Sequence, residues 1–312
     1  MAVRKSSRTL AVLLPLLASG AGLVPGGEAK TVNPDAYYPE GPLVDDGNLY
    51  YAEMTANRVT RWDGKENRVF WERPGCGPTS VARHPLGGFN ILCHIGEYIV
   101  HVGRDGQTIG TTDEDAAGRH FQDPNASVND RRGGVYFSSS GLFSPSAKSE
   151  GAVLYLDPEG SLHRMAEGIH YANGVAVSPD GTTLYVSEHL SRRILAYDIA
   201  GDGSLSGKRV FVALDDLVGE DRNRTWEIGP DGLAMDREGN LFAAEYGAGR
   251  VLVIDREGRL AATIPVPADD RYVTGIAFEA GEQRLFITAP GAERPAMRGA
   301  VLSVPHPLMK KD

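Results

Sequence analysis

The sequence predicts an all-β protein, a six-bladed β-propeller of four-stranded antiparallel blades. Three observations carry that expectation. A unit made of a polar residue, a short alternating run, an Asp- or Gly-rich turn and an aromatic-containing strand recurs six times. Its lead residues, Glu40, Thr79, Asn125, Asn173, Asp231 and Thr274, stand 39, 46, 48, 58 and 43 residues apart, the period of a propeller blade. No segment longer than about ten residues has a clean helical period.

The units read in order. The first two strands lie in EGPLVDDGNLYYAE from Glu40, TSVARHPLGGFNILC from Thr79 and NASVNDRRGGVYFSS from Asn125. They recur in NGVAVSPDGTTLYVSE from Asn173, DGLAMDREGNLFAAE from Asp231 and TGIAFEAGEQRLFIT from Thr274. Apolar and polar residues alternate within each run and turn residues separate the runs, as in an antiparallel meander. Third and fourth strands follow, for example RILAYD then RVFVAL, and RVLVID then LAATIPV. The sixth unit ends early, at AVLSVPH from Ala300. The segment KTVNPDAYY from Lys30 is a candidate for its missing outer strand, which would hide an open edge; a disordered N-terminus is the alternative.

Composition agrees with one large globular unit. Of 312 residues, 41% are hydrophobic and 23% charged, which excludes disordered and polytopic membrane classes. The 38 Gly and 19 Pro have no Gly-X-Y period and mark turns. Residues 1–29 read as a secretory signal: Arg4, Lys5 and Arg8, then the apolar run from Leu10, then small residues before cuts after Ala21 or Ala29. Pro15, Gly20 and Gly22 interrupt the run, which falls short of the ~20 apolar residues of a spanning helix. A periplasmic or secreted protein with no membrane span is expected, residues 30–312 forming a single propeller domain. Without the leader it holds 29 basic and 40 acidic residues, a balance of −11. Such a surface repels phosphate backbones, so no nucleic-acid partner is expected. Monomer and dimer are both open.

Cys76 and Cys93 would meet an oxidising compartment, where a bridge is allowed. Pairing of Thr79–Arg83 with Phe89–Cys93 sets Cys93 opposite about Ser80. Cys76 reaches it only if the preceding loop curls back, and both outcomes stay open.

Equivalent residues of a cyclic repeat occupy equivalent places, so the six lead residues are expected near the axis, at one end of the channel. All six carry oxygen. Glu40, Asn125, Asn173 and Asp231 offer one oxygen each to a single divalent cation, with a joint charge of −2. Hard oxygen donors suit calcium first, then magnesium or manganese, with zinc a further candidate. Singly the residues have blander readings: Asn173–Gly174 and Asp231–Gly232 are turn dipeptides, and Asn125-Ala-Ser is a glycosylation acceptor in a eukaryotic secreted protein. Glu53, Glu188 and Glu245 form a second register at the ends of second strands and are expected to face solvent. His94, His170 and His189 fall near the same rim, without an assigned role. The long connection from Asp215 to Gly229 lands just before Asp231, and its Trp226 is a candidate cover for a substrate. A second long connection runs from Gly141 to Gly151.

These motifs resemble the senescence-marker-protein/gluconolactonase/luciferin-regenerating-enzyme superfamily. The likeness spans about Pro39 to Thr288 and rests on EGP at Glu40, PN at Asn125, ANGVAVSPDGTTLYVSE around Asn173 and GPDGLAMDREGNLFAAEYGAGRVLV around Asp231. It is greatest with the bacterial calcium-dependent lactonases. The resemblance implies a divalent metal on Glu40, Asn173 and Asp231, with Asn125 as a further ligand or substrate contact. Ala126 and Asp123 depart from it, standing where relatives have Asp and, in regucalcin-like members, Arg; this argues against a glucono-type substrate. The implied chemistry is opening of a small-molecule lactone by metal-activated water, with Asp231 as base and Glu40 mainly a ligand. The alternatives are a metal-stabilised binding propeller without turnover and a phosphotriesterase-like hydrolase. No Gly-x-Ser-x-Gly elbow, phosphate loop or Cys-x-x-Cys is present, so serine-hydrolase, nucleotide and zinc-ribbon readings lack support.

Overall fold

The structure is a computed structural model and describes residues 29–220, 224–267 and 271–309. The expected signal segment, apart from Ala29, lies outside the described residues. Strand β1 (Lys30–Tyr37) is followed by blade 1, with β2 (Pro39–Asp45), β3 (Asn48–Glu53), β4 (Arg58–Trp62) and β5 (Asn67–Glu72). Blade 2 holds β6 (Pro78–Arg83), β7 (Phe89–Cys93), β8 (Tyr98–Val102) and β9 (Thr108–Thr112). Blade 3 holds β10 (Pro124–Asn129), β11 (Val135–Ser139), β12 (Gly151–Leu156) and β13 (Leu162–Ile169). Blade 4 holds β14 (Ala172–Val177), β15 (Thr183–Glu188), β16 (Arg193–Ile199) and β17 (Leu205–Ala213). A short helix α1 (Leu214–Val218) leads to blade 5, with β18 (Gly229–Met235), β19 (Leu241–Tyr246), β20 (Arg250–Ile254) and β21 (Leu260–Pro265). Blade 6 runs β22 (Gly275–Phe278), β23 (Arg284–Ala289) and β24 (Arg298–Pro305), and β1 completes it as the outer strand. The fold is a six-bladed β-propeller, and the N-terminal segment closes the ring, Lys30 pairing with Ser303 and Tyr37 with Arg298.

The core is distributed between blades. Along β19, Leu241 and Ala243 pack with Ile194 and Val212 of blade 4, while Phe242 and Ala244 pack with Leu285 and Ile287 of blade 6. Alternate side chains of one strand therefore serve two neighbours. This is why second strands such as FNILC and LFAAEY are buried throughout, as expected where both faces of a sheet are covered.

Five innermost strands carry a bulge, which falls at the lead residue in four of them and directly after it, at Gly41–Pro42, in blade 1. Pairing with the next strand shifts between Glu40 and Leu43, Pro78 and Ser80, Pro124 and Ser127, Ala172 and Val175, and Pro230 and Leu233. A bulge re-aims a side chain. Asn173–Gly174 and Asp231–Gly232 are thus strand residues and not turns. Their glycines permit close packing of blades: a Cβ on Gly232 would stand 2.3 Å from the Thr274 carbonyl oxygen.

The bulge at Thr79 also decides the cysteines. Cys93 lies opposite Pro78 and not Ser80, and the loop before it curls back so that Cys76 and Cys93 form a disulfide. A second correction concerns Glu53, Glu188 and Glu245, which do not face solvent; they are 0%, 2% and 1% exposed. Each accepts hydrogen bonds from the arginine five residues on: Arg58 Nε to Glu53 Oε1 at 2.9 Å, Arg250 Nε to Glu245 Oε2 at 2.6 Å, and Arg193 to Glu188. Tyr37 N–H also donates to Glu53 and His170 N–H to Glu188. Glu53 and Glu188 thus tie the turn after the second strand to the chain entering the innermost one, and Glu245 also accepts from Arg192. Among the described residues no helix is long and apolar enough to cross a membrane.

Candidate active site

The six lead residues meet on the axis. All are buried and line one constriction of about 40 Å³. On one side the channel widens to a cavity of about 320 Å³ whose floor includes Glu40, Asn125, Asn173 and Asp231. On the other side lies a vestibule of about 240 Å³ whose lining mixes apolar residues such as Leu43, Val81, Val177 and Ile276 with the polar Arg83, Ser127 and Asn129. The two threonines are committed to the frame. Thr79 Oγ1 donates to the Pro124 carbonyl at 3.1 Å and Thr274 Oγ1 to the Pro39 carbonyl at 2.8 Å.

Three of the other four, Glu40, Asn173 and Asp231, are poorly satisfied. Asn173 Oδ1 is buried without a hydrogen-bond partner. Burial raises the Glu40 carboxyl well above its ordinary range, the nearby Asp231 adds to this, and only the Gly41 N–H, 3.2 Å from Oε2, opposes it. Burial likewise raises Asp231 well above the usual carboxylate range, opposed by the Asn173 side chain and the Gly232 N–H. Among the described residues no Lys or Arg pairs with either carboxylate. His189 Nδ1 stands 4.0 Å from Asp231 Oδ2, yet burial pushes its pKa down to about 4. Its Nε2 lies 2.9 Å from the Glu227 carbonyl and must carry the proton to donate there, which leaves the Nδ1 lone pair facing Asn173 and Asp231. Two buried carboxylates and an unpartnered amide oxygen are costly unless a cation compensates them. The donor set therefore fits a hard divalent ion. It holds two carboxylates and two amides, and no cluster of three or more His, Cys, Asp or Glu suited to a metal occurs among the described residues.

Other expected residues fall differently. Trp226 does not line the cavity; it is 44% exposed and packs on Phe143, ring centroids 5.0 Å apart. His94 and His189 line the cavity and His170 does not. His94 Nε2 stands 3.8 Å from Asp123 Oδ1, with its Nδ1 buried and unpartnered. Sequence reasoning missed Tyr38, Phe143, Tyr171 and Tyr246, all of which line the cavity. A signal for two of them was present: Tyr38 and Tyr171 each precede a lead residue by two, where Gly77 and Asp123 also stand, and all four have positive φ. That left-handed step turns the chain into the innermost strand.

Fold and site together define a six-bladed propeller with one oxygen-lined cavity on its axis. The chain belongs to the SMP-30/Gluconolactonase/LRE-like family, which it matches along residues 38–290. It is 29% identical over 269 residues to Lactonase drp35 of Staphylococcus saprophyticus, covering 81% of this chain and 79% of that one. Regucalcin of Xenopus laevis is 27% identical over 238 residues, 74% of this chain and 76% of that one. The structure of a gluconolactonase from Xanthomonas campestris, 27% identical, matches with a TM-score of 0.70 over 90% of this chain and 98% of that one.

Proposed function

We propose that this protein hydrolyses a lactone, using a divalent cation held by Glu40, Asn125, Asn173 and Asp231. The observation that carries the reading is the meeting of two buried, uncompensated carboxylates with the unpartnered Oδ1 of Asn173 on the floor of an open cavity. The names of the relatives, lactonase and gluconolactonase, support the reaction class. Calcium suits four hard oxygen donors that leave room for water. The leader expected in residues 1–29 would deliver the chain to the periplasm or beyond, where even calcium sites of ~10⁻⁴–10⁻³ M fill.

Such an ion, when bound, supplies Lewis acidity toward an ester carbonyl and acidifies a water. Asp231 accepts the water's proton on a carboxylate oxygen as the water oxygen bonds to the carbonyl carbon. It returns that proton to the ring oxygen as the ring C–O bond breaks, so one water is added and one hydroxy acid leaves. The neutral His189 ring lies behind Asp231 and restricts where its carboxylate can turn. On the wall, the Tyr38 and Tyr246 hydroxyls lie 3.3 Å apart. Burial raises both phenols, so they stay protonated; one donates to the other, which leaves one proton to donate to a substrate oxygen.

A panel of lactones, aryl esters and phosphotriesters assayed before and after chelation tests this. Lactone turnover is expected to vanish with the metal and return with calcium; turnover surviving complete metal removal rejects the cation. Asp231→Asn should lower kcat by roughly 10²–10⁴, and full activity would reject that residue as base. Calcium binding with no ester consumed would leave a binding propeller, and turnover of phosphotriesters alone would make the chain a phosphotriesterase-like hydrolase.

A further inference from the structure

We infer that the cavity selects cyclic esters bearing an apolar substituent, and that Phe143 sets this preference; the inference rests on the lactone reading above. Phe143 comes from the connection between β11 and β12, yet its ring joins side chains of other blades. Its centroid lies 4.8 Å from Tyr171, 5.3 Å from His189, 5.0 Å from Trp226 and 6.4 Å from Tyr246. The Tyr246 hydroxyl meets that of Tyr38, which extends the aromatic wall toward blade 1. Met54 and Met297 add apolar surface to the same cavity. Glu40, Asn125, Asn173 and Asp231 face the reacting ester from the floor, and several polar atoms of the wall are already engaged: the Tyr38 and Tyr246 hydroxyls pair with each other and Thr55 Oγ1 donates to the Ala296 carbonyl.

This division has a chemical consequence. A polyhydroxylated ring needs a donor or acceptor for each hydroxyl it buries, because an unmatched buried polar group is costly. An aromatic wall offers few. It instead rewards apolar surface, at a gain per methylene of about three- to four-fold in binding. A ring seated with its ester on the floor therefore projects its substituent along Phe143. Phe143 is partly exposed and stands on a loop, so it can be changed without altering the strand pairing of any blade. Arg294 is the cationic side chain of the lining and would favour an anionic substituent if the wall did not decide.

The experiment compares kcat/KM for δ-valerolactone, its propyl-, pentyl- and heptyl-substituted homologues, a phenyl and a cyclohexyl derivative, and glucono-δ-lactone. The matching δ-lactams, which keep the ring and resist hydrolysis, are measured as ligands by calorimetry. Activity and affinity should rise about three- to four-fold per methylene until the cavity fills. In Phe143→Ala the ratio of heptyl to unsubstituted substrate should fall at least ten-fold, and Phe143→Leu should restore most of it. Leu142→Ser, exposed on the same loop and outside the lining, should leave the ratio as in the unaltered protein. A phenyl gain above the cyclohexyl gain supports stacking on the wall, and equal gains support burial alone. A flat series, a preference for glucono-δ-lactone, an unchanged ratio in Phe143→Ala, or a preference for a carboxylate-bearing lactone lost in Arg294→Gln overturns the inference while lactone hydrolysis stands. Lactams bound with the expected chain-length dependence, alongside no lactone turnover, would support the apolar selection and defeat the hydrolase reading.

Discussion

Gly174 of blade 4 lies against Asp231 of blade 5 so closely that a Cβ on the glycine would stand 2.1 Å from the aspartate's carbonyl oxygen. The same carbonyl accepts a hydrogen bond from Ser187 Oγ at 2.7 Å. Blade 4 thus sets the backbone position of an axial carboxylate in blade 5. Gly174→Ala must push backbone against backbone, and overpacking of this kind costs about 1–3 kcal/mol. Denaturant unfolding should report that loss, and calcium titration should report weakened binding. Unchanged affinity would mean that the blade contact does not hold the site.

Loading the axial site should stabilise the fold. A ligand that binds only the native state contributes about 2.7 kcal/mol at one hundred times its dissociation constant. Thermal scans with calcium against chelator should therefore differ by several degrees. Glu40→Gln and Asn173→Ala should each shrink the difference, because each removes one donor from the floor. Equal melting temperatures with and without calcium in the unaltered protein would remove this ion from the list of occupants.

The Cys76–Cys93 bridge spans a sequence separation of 17, and closing a loop of that length is worth about 3 kcal/mol on the chain-entropy account. The Cys76→Ser/Cys93→Ser double variant should lose most of that in urea unfolding under non-reducing conditions. His94 follows Cys93 directly and lines the cavity, so the variant should also bind δ-lactams more weakly. A variant as stable as the parent would show that neighbouring strands alone hold this corner.

His101 makes the fold acid-sensitive. Burial, and then the neighbouring His84, push its pKa down to about 4. Its ring lies between Asn90 Oδ1 at 2.7 Å and Thr112 Oγ1 at 2.9 Å. The unfolded chain, with a pKa of about 6.5, binds more protons than the folded one between the two values. Stability is therefore complete above the unfolded pKa and declines as pH falls toward 4. The ring is partly exposed, so the loss should be about 1–2 kcal/mol after screening. Urea midpoints from pH 7 to pH 4 should fall less steeply in His101→Gln, and parallel slopes would refute the assignment.

The approach of Gly174 to Asp231 also marks how far the sequence reaches. Spacing alone brought Glu40, Asn125, Asn173 and Asp231 to one axis, because a cyclic repeat carries equivalent positions to equivalent places. The short last repeat made KTVNPDAYY a candidate outer strand for blade 6, with a disordered N-terminus as the alternative, and the structure pairs Lys30–Tyr37 there. Pairing inside the innermost strands was not legible. One bulge at Thr79 moved Cys93 from Ser80 to Pro78 and brought the disulfide within reach. The same device turned two apparent turn dipeptides into strand.

Alternation of apolar and polar residues and the blade-length period are local properties, and from them the sequence determined the blade count, the order of strands and the oxygen-bearing ring. Partners that approach through space from distant segments were left to the tertiary structure. It buried Glu53, Glu188 and Glu245 against arginines across a tight turn, and it gathered Phe143, Tyr171, His189 and Tyr246 from three blades into one wall. The reason is physical: a periodic pattern states which side chains must leave water, while which neighbours they meet depends on how blades slide and pack, and no single stretch of chain encodes that.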